Sequence, residues 1–461
     1  MFRLLIALGW LMSRMPESLV KGFCRALAWL FYRIPSKRRN IIYSNLHHAF
    51  PERSKEWLHR TVWEVCKRTL EMGVFTLVSP HFSREKMAGL LKVSEEVDRE
   101  FERLLGYGRP IVIFGAHFSM IEAFNSWPDI SRFEFPETAV MYRPHKSPPI
   151  DAMIKKLRER AGMKLVSRKA GVKEMGEVLR RKGIAAILFD QNTRGAGSLI
   201  PFFGRVTSAT ELPGLLAKKY NAVPVGVIPY SSGFWQASIK IQELDAPLEP
   251  AALTLAANQW IEECMINNEG LLVDWLWSHN RWKILFRPFE RLGMNHRKKI
   301  TDFSTYEIRK TRFAVVHQEL SVSLERAMQF LEALRKSRPD AEITLITHDA
   351  EKLHVAYPDL IDIAIDLPAE VREVKTLAKH LRDCYLDLIM VLDDNPLSRK
   401  FARQTKVPQR FGVKLDGRKD GTLTDIWTPE DPYGWQIEPI WMEFGKHFGM
   451  EVEEESPQET T

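Results

Sequence analysis

Two kinds of apolar pattern alternate along the first 290 residues. Short runs rich in β-branched residues, at 110–114, 139–142, 184–189, 223–228 and 237–241, read as buried strands. Segments 150–161, 172–182 and 211–220 between them have helical spacing. This alternation predicts an α/β domain with a largely parallel or mixed sheet. Upstream, Pro51-Glu52-Arg53-Ser54 opens a helical region over 51–105, with apolar positions at Trp57, Val62, Val65, Leu70, Val74 and Leu77. A second α/β pattern begins at Phe313. It has strands at 313–316, 343–346 and 386–392, and helices at 322–337 and 369–382. Between the two patterns, 290–311 is basic with little apolar periodicity and reads as a linker. The acidic stretch 451–461 reads as a disordered tail.

The start of the chain is different again. Apolar segments at 1–12 and 19–32 are separated by Pro16 and interrupted by Arg3, Arg14, Lys21, Arg25 and Arg33. Neither reaches the roughly 20 residues that span a bilayer, and no small-residue cleavage site follows them. Residues 1–33 therefore read as a helical pair lying in a membrane interface. Trp10, Trp29, Phe31 and Tyr32 would sit at headgroup depth and the basic side chains on anionic lipid. A helical hairpin packed on the domain's own core is the alternative.

With 461 residues, two domains are the default. Cys24, Cys66, Cys264 and Cys384 are far apart and lack metal-ligand spacing, which predicts reduced thiols in a cytoplasmic protein. Charge divides the chain. Residues 1–300 hold 45 Lys and Arg against 29 Asp and Glu, and the remainder holds 21 against 30. The basic part should face something anionic: nucleic acid, acidic lipid or an acidic carrier protein. No nucleic-acid-reading motif is present, and the apolar N-terminus argues against that partner.

The candidate chemistry lies just past the strand-like runs. Residues 111–115 lead into Ala116-His117-Phe118-Ser119-Met120-Ile121-Glu122. His117 should emerge at the C-terminal end of a strand, where open α/β sheets place ligands. With Glu122 nearby, it has the parts of a general base: an imidazole to take a proton and a carboxylate to orient it. The same spacing also arises at an incidental helix start. Arg143, in Tyr142-Arg143-Pro144, should point into the same crevice, with a fork suited to phosphate or carboxylate. Asp190 and Gln191 follow the 184–189 run. Arg194-Gly195-Ala196-Gly197 then reads as a mobile loop that lacks the spacing and Lys-Ser/Thr of a P-loop, which argues against nucleotide hydrolysis. Pro201-Phe202-Phe203-Gly204 reads as a slot for an acyl chain, and 207–212 as a helix start capped by Ser208 or Thr210. Trp277-Ser278-His279-Asn280-Arg281-Trp282-Lys283 interleaves aromatic and basic residues.

Taken in order, these blocks resemble the bacterial lipid A biosynthesis acyltransferases of lauroyl/myristoyl type, within the lysophospholipid acyltransferase superfamily. Arg39-Asn40, Asn45-Leu46 and Phe50-Pro51-Glu52 belong to the same set, as do Tyr142-Arg143-Pro144-His145-Lys146 and Pro149-Ile150-Asp151. The resemblance covers residues 1 to about 290, so the domain plan is 1–33 membrane-associating, 34–289 acyltransferase, 290–311 linker. It implies transfer of a fatty acyl chain to a hydroxyl of a membrane glycolipid such as a lipid A precursor, without metal or cofactor. The donor would be acyl carrier protein or acyl-coenzyme A, and the site of action the cytoplasmic face of the bacterial inner membrane. His117 falls on the family's catalytic histidine and Glu122 on its acidic partner. Arg158 falls on the arginine that follows the Tyr-Arg-Pro block and Asp190 on the conserved aspartate of the Asp-Gln block; with Arg143, Gln191 and Arg281 they are the candidate substrate-binding residues. Arg158 or backbone amides near Gly115 would meet the oxyanion. Asn280 departs from the family, which often has Arg there.

Residues 312–450 resemble the N-terminal half of the lipopolysaccharide heptosyltransferases. The likeness rests on 313–316, Leu331-Glu332-Ala333-Leu334-Arg335, Pro339-Asp340-Ala341, 343–346, Tyr385-Leu386-Asp387-Leu388-Ile389, Arg410-Phe411-Gly412 and 435–448. That family has a Gly-Asp pair after its first strand, with Asp as base. This chain has Val322-Ser323 there, and it ends without a nucleotide-sugar half. The implied module is Rossmann-like and inactive; a bifunctional acyl- and glycosyltransferase is the alternative.

Overall fold

The computed structural model describes residues 2–145, 147–159, 161–168, 171–193, 197–282, 292–294, 298–300, 306–320, 323–419, 421–437 and 441–451. Arg194-Gly195-Ala196, residues 290–291, 295–297 and 301–305 of the linker and the tail from 452 lie outside them. The chain forms two compact units, residues 1–203 with 209–281, and 204–208 with 282–461.

The first unit is built on a seven-stranded sheet. Its strands are β1 (Leu91–Lys92), β2 (Ile111–Gly115), β3 (Thr138–Tyr142), β4 (Lys164–Ser167), β5 (Ile184–Leu188), β8 (Val223–Gly233) and β9 (Gln236–Glu243). They lie in the order β1-β9-β8-β2-β5-β3-β4. β8 and β9 are antiparallel, and every other pairing is parallel. β2 is central, between β5 and β8, with all five residues buried. A strand covered on both faces has no polar side, which is why 111–114 reads as an unbroken apolar run. Ile111 and Ile113 pack into a core with Phe101, Trp127 and Val225.

On this sheet Gly226 pairs with Phe114, and a Cβ there would lie 2.5 Å from Trp260 Cζ3. The indole comes from helix Pro250–Asn267 and fills the space a side chain would need. Gly226→Ala should overpack this contact and cost about 1–3 kcal/mol, read as a lower thermal unfolding midpoint. An unchanged midpoint would mean that the helix shifts freely.

Residues 51–105 are helical as expected at Lys55–Val78, Arg84–Leu90 and Glu95–Gly106, with the short β1 between the last two. Ser54 starts the first of them, its Oγ accepting from Trp57 N–H at 3.2 Å. The N-terminal segments are helices Phe2–Met12 and Glu17–Arg33. Val20, Cys24 and Ala28 are buried, while Leu4, Leu8, Trp10, Leu11, Leu19, Phe23, Trp29 and Leu30 are exposed. One face of the pair thus packs on the unit and the other is an open apolar stripe.

Residues 198–209 differ from the sequence reading. They form a hairpin of β6 (Ser198–Phe202) and β7 (Arg205–Ala209) in place of a slot, and the helix expected from 207 starts only at Leu212, where Thr210 Oγ1 accepts from Leu212 N–H at 3.2 Å. Phe203 and Gly204 turn it with φ of 49° and 70°, as a two-residue hairpin loop of inverse hand requires. Phe202 and Phe203 are buried against Trp275 and Trp277 rather than lining open space.

The second unit carries six strands: β10 (Thr311–Val316), β11 (Ala341–Thr347), β12 (Ile363–Asp366), β13 (Leu388–Val391), β14 (Gln409–Val413) and β15 (Asp425–Trp427). All pairings are parallel, in the order β12-β11-β10-β13-β14-β15. This is the doubly wound arrangement expected of a Rossmann-like sheet. Ser323 directly precedes helix Leu324–Ser337, and its side chain makes no capping hydrogen bond.

Candidate active site

Strand register creates the site. Gly115 of β2 pairs with Leu188 of β5. His117 and Asp190 each lie two residues beyond that pair, so the sheet delivers them side by side. His117 Nδ1 is 2.6 Å from Asp190 Oδ1, and the His117 backbone N–H donates to Oδ2 at 2.8 Å. The indole N–H of Trp275 donates to the same Oδ2 at 2.8 Å. The Asp190 side chain is 2% exposed and that of His117 25%, so the carboxylate is sealed in while the imidazole reaches the surface.

Burial alone would raise the pKa of Asp190. The His117 ring, its backbone N–H and the Trp275 indole outweigh burial and hold it at about 2. An ionised carboxylate only accepts, so the His117 proton sits on Nδ1 and Nε2 keeps its lone pair. Gln191 Nε2 lies 3.2 Å from that nitrogen.

Glu122 is not the partner of His117. Its carboxylate takes both prongs of Arg158, Nε to Oε2 at 2.9 Å and Nη2 to Oε1 at 2.5 Å. The reason is local: the helix begins only at Ile121, so His117 and Glu122 share no helical face. Arg158 ends helix Pro148–Arg158. Burial works against its charge, but the hydrogen bonds and charge of Glu122 outweigh it and raise its pKa above the ordinary value. At the other end of that helix, Asp151 accepts from Tyr142 Oη at 3.2 Å and His145 N–H at 2.7 Å. This fixes the loop in which Arg143 is exposed.

Arg281, expected to contact substrate, is fully buried instead. It donates to Asn258 Oδ1 at 3.0 Å and lies over the Phe202 ring. Burial lowers its pKa to about 10, opposed by the charge of Asp190. The segment around it is a brace. Asn45 Nδ2 donates to the carbonyls of Trp277 and His279 at 2.8 and 2.7 Å, and Arg38 to that of Ser278 at 2.9 Å. Asn192 donates through its N–H to His279 Nε2 at 3.2 Å and through Nδ2 to Arg281 O at 2.9 Å. Blocks separated by more than 200 residues therefore converge behind the Asp190 loop. Trp275 was missed from sequence, because nothing local to it signals a hydrogen bond to Asp190.

The fold and site define an α/β protein with a buried carboxylate–histidine pair at the ligand edge of its sheet. The chain belongs to the bacterial lipid A biosynthesis acyltransferase family, whose model matches residues 1–284, and it is an acyltransferase. It is 24% identical to the lipid A biosynthesis lauroyltransferase of Escherichia coli K12 over 286 residues, which cover 60% of this chain and 90% of that protein. Among solved structures, it is similar to a family 9 glycosyl transferase from Veillonella parvula, at 18% identity and a TM-score of 0.26 over 31% of this chain and 42% of that one. It is also similar to the E. coli ADP-heptose lipopolysaccharide heptosyltransferase II, at 18% identity and a TM-score of 0.23 over 26% and 35%. The chain thus spans less than half the length of either structure.

Proposed function

We propose that the first unit transfers a fatty acyl chain from acyl carrier protein to a hydroxyl of a membrane glycolipid such as a lipid A precursor, with His117 as general base. The observation that carries this reading is the half-open imidazole whose Nδ1 is held by the buried, ionised Asp190. His117 Nε2 takes the proton as the hydroxyl oxygen bonds to the thioester carbonyl carbon. The tetrahedral intermediate then collapses, the carbon–sulfur bond breaks, and the imidazolium returns the proton to the leaving thiolate. Two sets of donors suggest themselves for the oxyanion. The amides of His117, Phe118 and Ser119 already donate to Asp190, Ala116 O and Asp274 O. That favours Arg158, steadied by Glu122. Gln191 caps Nε2 until substrate arrives, and exposed Arg143 is the candidate for an acceptor phosphate. The donor is tested by comparing kcat/KM for the same acyl chain on carrier protein and on coenzyme A. Preference for coenzyme A would overturn that part of the reading.

Among the described residues no helix is long and apolar enough to cross a membrane. We read the exposed stripe on helices Phe2–Met12 and Glu17–Arg33, with Arg14, Lys21, Arg25 and Arg33 beside it, as lying in the interface at the cytoplasmic face of the inner membrane. Leu4, Leu8 and Leu11 recur on one helical face and are 74%, 40% and 53% exposed. Changing all three to Ser should lower the fraction bound to anionic vesicles by at least about 10-fold, since each buried leucine contributes about 1.5–3 kcal/mol. Unchanged co-sedimentation at high salt would place the anchor elsewhere. The second unit is read as a Rossmann-like module without sugar-transfer activity, because Ser323 stands where a base would be needed.

A further inference from the structure

The residues that follow helix Glu269–Asp274 grip the segment that carries His117. Phe118 and Trp275 form an isolated antiparallel bridge. Leu276 N–H donates to His117 O at 3.0 Å, and Ser119 N–H to Asp274 O at 3.1 Å. Ser119 Oγ donates to Asp274 Oδ1 at 2.5 Å. From this fixed backbone the Trp275 side chain turns to Asp190. It is 2% exposed, with its rings against Phe202 and Trp277 at centroid distances of 5.7 and 4.8 Å. Trp275 is therefore held beside the base by the backbone bonds of its neighbours Asp274 and Leu276, and its side chain reaches the carboxylate that the base needs.

We propose that Trp275 is a positioning residue for acyl transfer, its indole N–H fixing the Asp190 carboxylate so that Oδ1 faces His117 Nδ1. This rests on His117 serving as the base. A carboxylate turns easily about Cβ–Cγ, and here two donors on Oδ2, His117 N–H and the indole, hold it in one plane. The other groups around the pair are Gln191 at Nε2 and the charge of Arg281 acting on Asp190. Asp274 lies behind Ser119, with Arg68 3.7 Å away.

Trp275→Phe keeps an aromatic ring and removes the donor. Negative charge then concentrates on Asp190 and holds a proton on His117 more tightly, so the acid limb of kcat/KM moves to higher pH. At the plateau, kcat falls about 10-fold, the lower end of what losing an outer hydrogen-bond partner costs at metal-binding histidines, while KM for the acyl donor is unchanged. Benzothienylalanine placed at position 275 keeps both rings and replaces N–H by sulfur. It should behave alike, and it decides the matter if the Phe variant does not fold. A wild-type acid limb and wild-type kcat in the folded variants would overturn the role of Trp275. His117→Ala in the same assay separates the two readings. If it is inactive while the position-275 variants are wild type, only the role of Trp275 falls. If it turns over like wild type, the base assignment falls and this proposal with it.

Discussion

His117→Ala should reduce acyl transfer by about 10²–10⁴-fold, the range that loss of a general base costs, with little change in unfolding temperature. The imidazole lies beyond the end of β2 and is 25% exposed, so it contributes little to the core that Ile111 and Ile113 build. The substitution strands Asp190, but this carboxylate keeps the backbone N–H of residue 117 and the Trp275 indole. The loss should fall on kcat, because Nε2 acts as oxygen attacks carbon rather than on binding. Steady-state kinetics beside a thermal melt check this. Near wild-type kcat in the folded variant would remove His117 from the mechanism.

Asp190→Asn is the sharper case, because it changes one group and barely alters shape. The two donors on Oδ2 should keep the Asn carbonyl oxygen facing them, which turns the Asn amide toward His117 Nδ1. That nitrogen must then accept, so the ring proton moves to Nε2 and the lone pair the reaction needs is gone. The equivalent exchange in serine-protease triads costs about 10⁴ in kcat through the wrong tautomer, and a loss of about 10³–10⁴ is expected here. Glu122→Gln should leave that tautomer intact, since Glu122 is bound to Arg158. A milder effect of Asp190→Asn than of Glu122→Gln would reverse the assignment. The pH dependence of stability has a definite sign. The folded Asp190 carboxyl titrates near 2 against 3.8 for the ordinary group. Its ionisation therefore favours the fold at every pH above about 4, and the contribution is lost as pH falls toward 2.

What could be seen in the sequence follows from how local each signal is. β2 and β5 are buried on both faces and show as unbroken apolar runs, and His117 and Asp190 were found because they directly follow such runs. Their pairing was not legible, because it depends on β5 lying next to β2. Distance along the chain suggested Glu122 instead. Arg281 looked like a ligand-binding arginine from its basic, aromatic neighbours, but it is buried against Asn258 and Phe202. β6 and β7 were missed because Phe203-Gly204 is not a common signal for a tight hairpin turn. In the second unit, β12 has no fully buried residue, β14 opens with Gln409-Arg410 and β15 is three residues long, so their apolar patterns are weak.

The most direct measurement is to incubate the purified full-length protein with a lipid A precursor and acyl carrier protein loaded with fatty acids of several lengths. Mass spectrometry reads the lipid, with His117→Ala and Asp190→Asn run in parallel. The expected result is a mass gain of one acyl chain, linked as an ester, with wild-type protein and almost none with either variant. Absence of acylated lipid from every donor with the wild-type protein, or equal product from His117→Ala, would contradict acyl transfer by a His117–Asp190 pair.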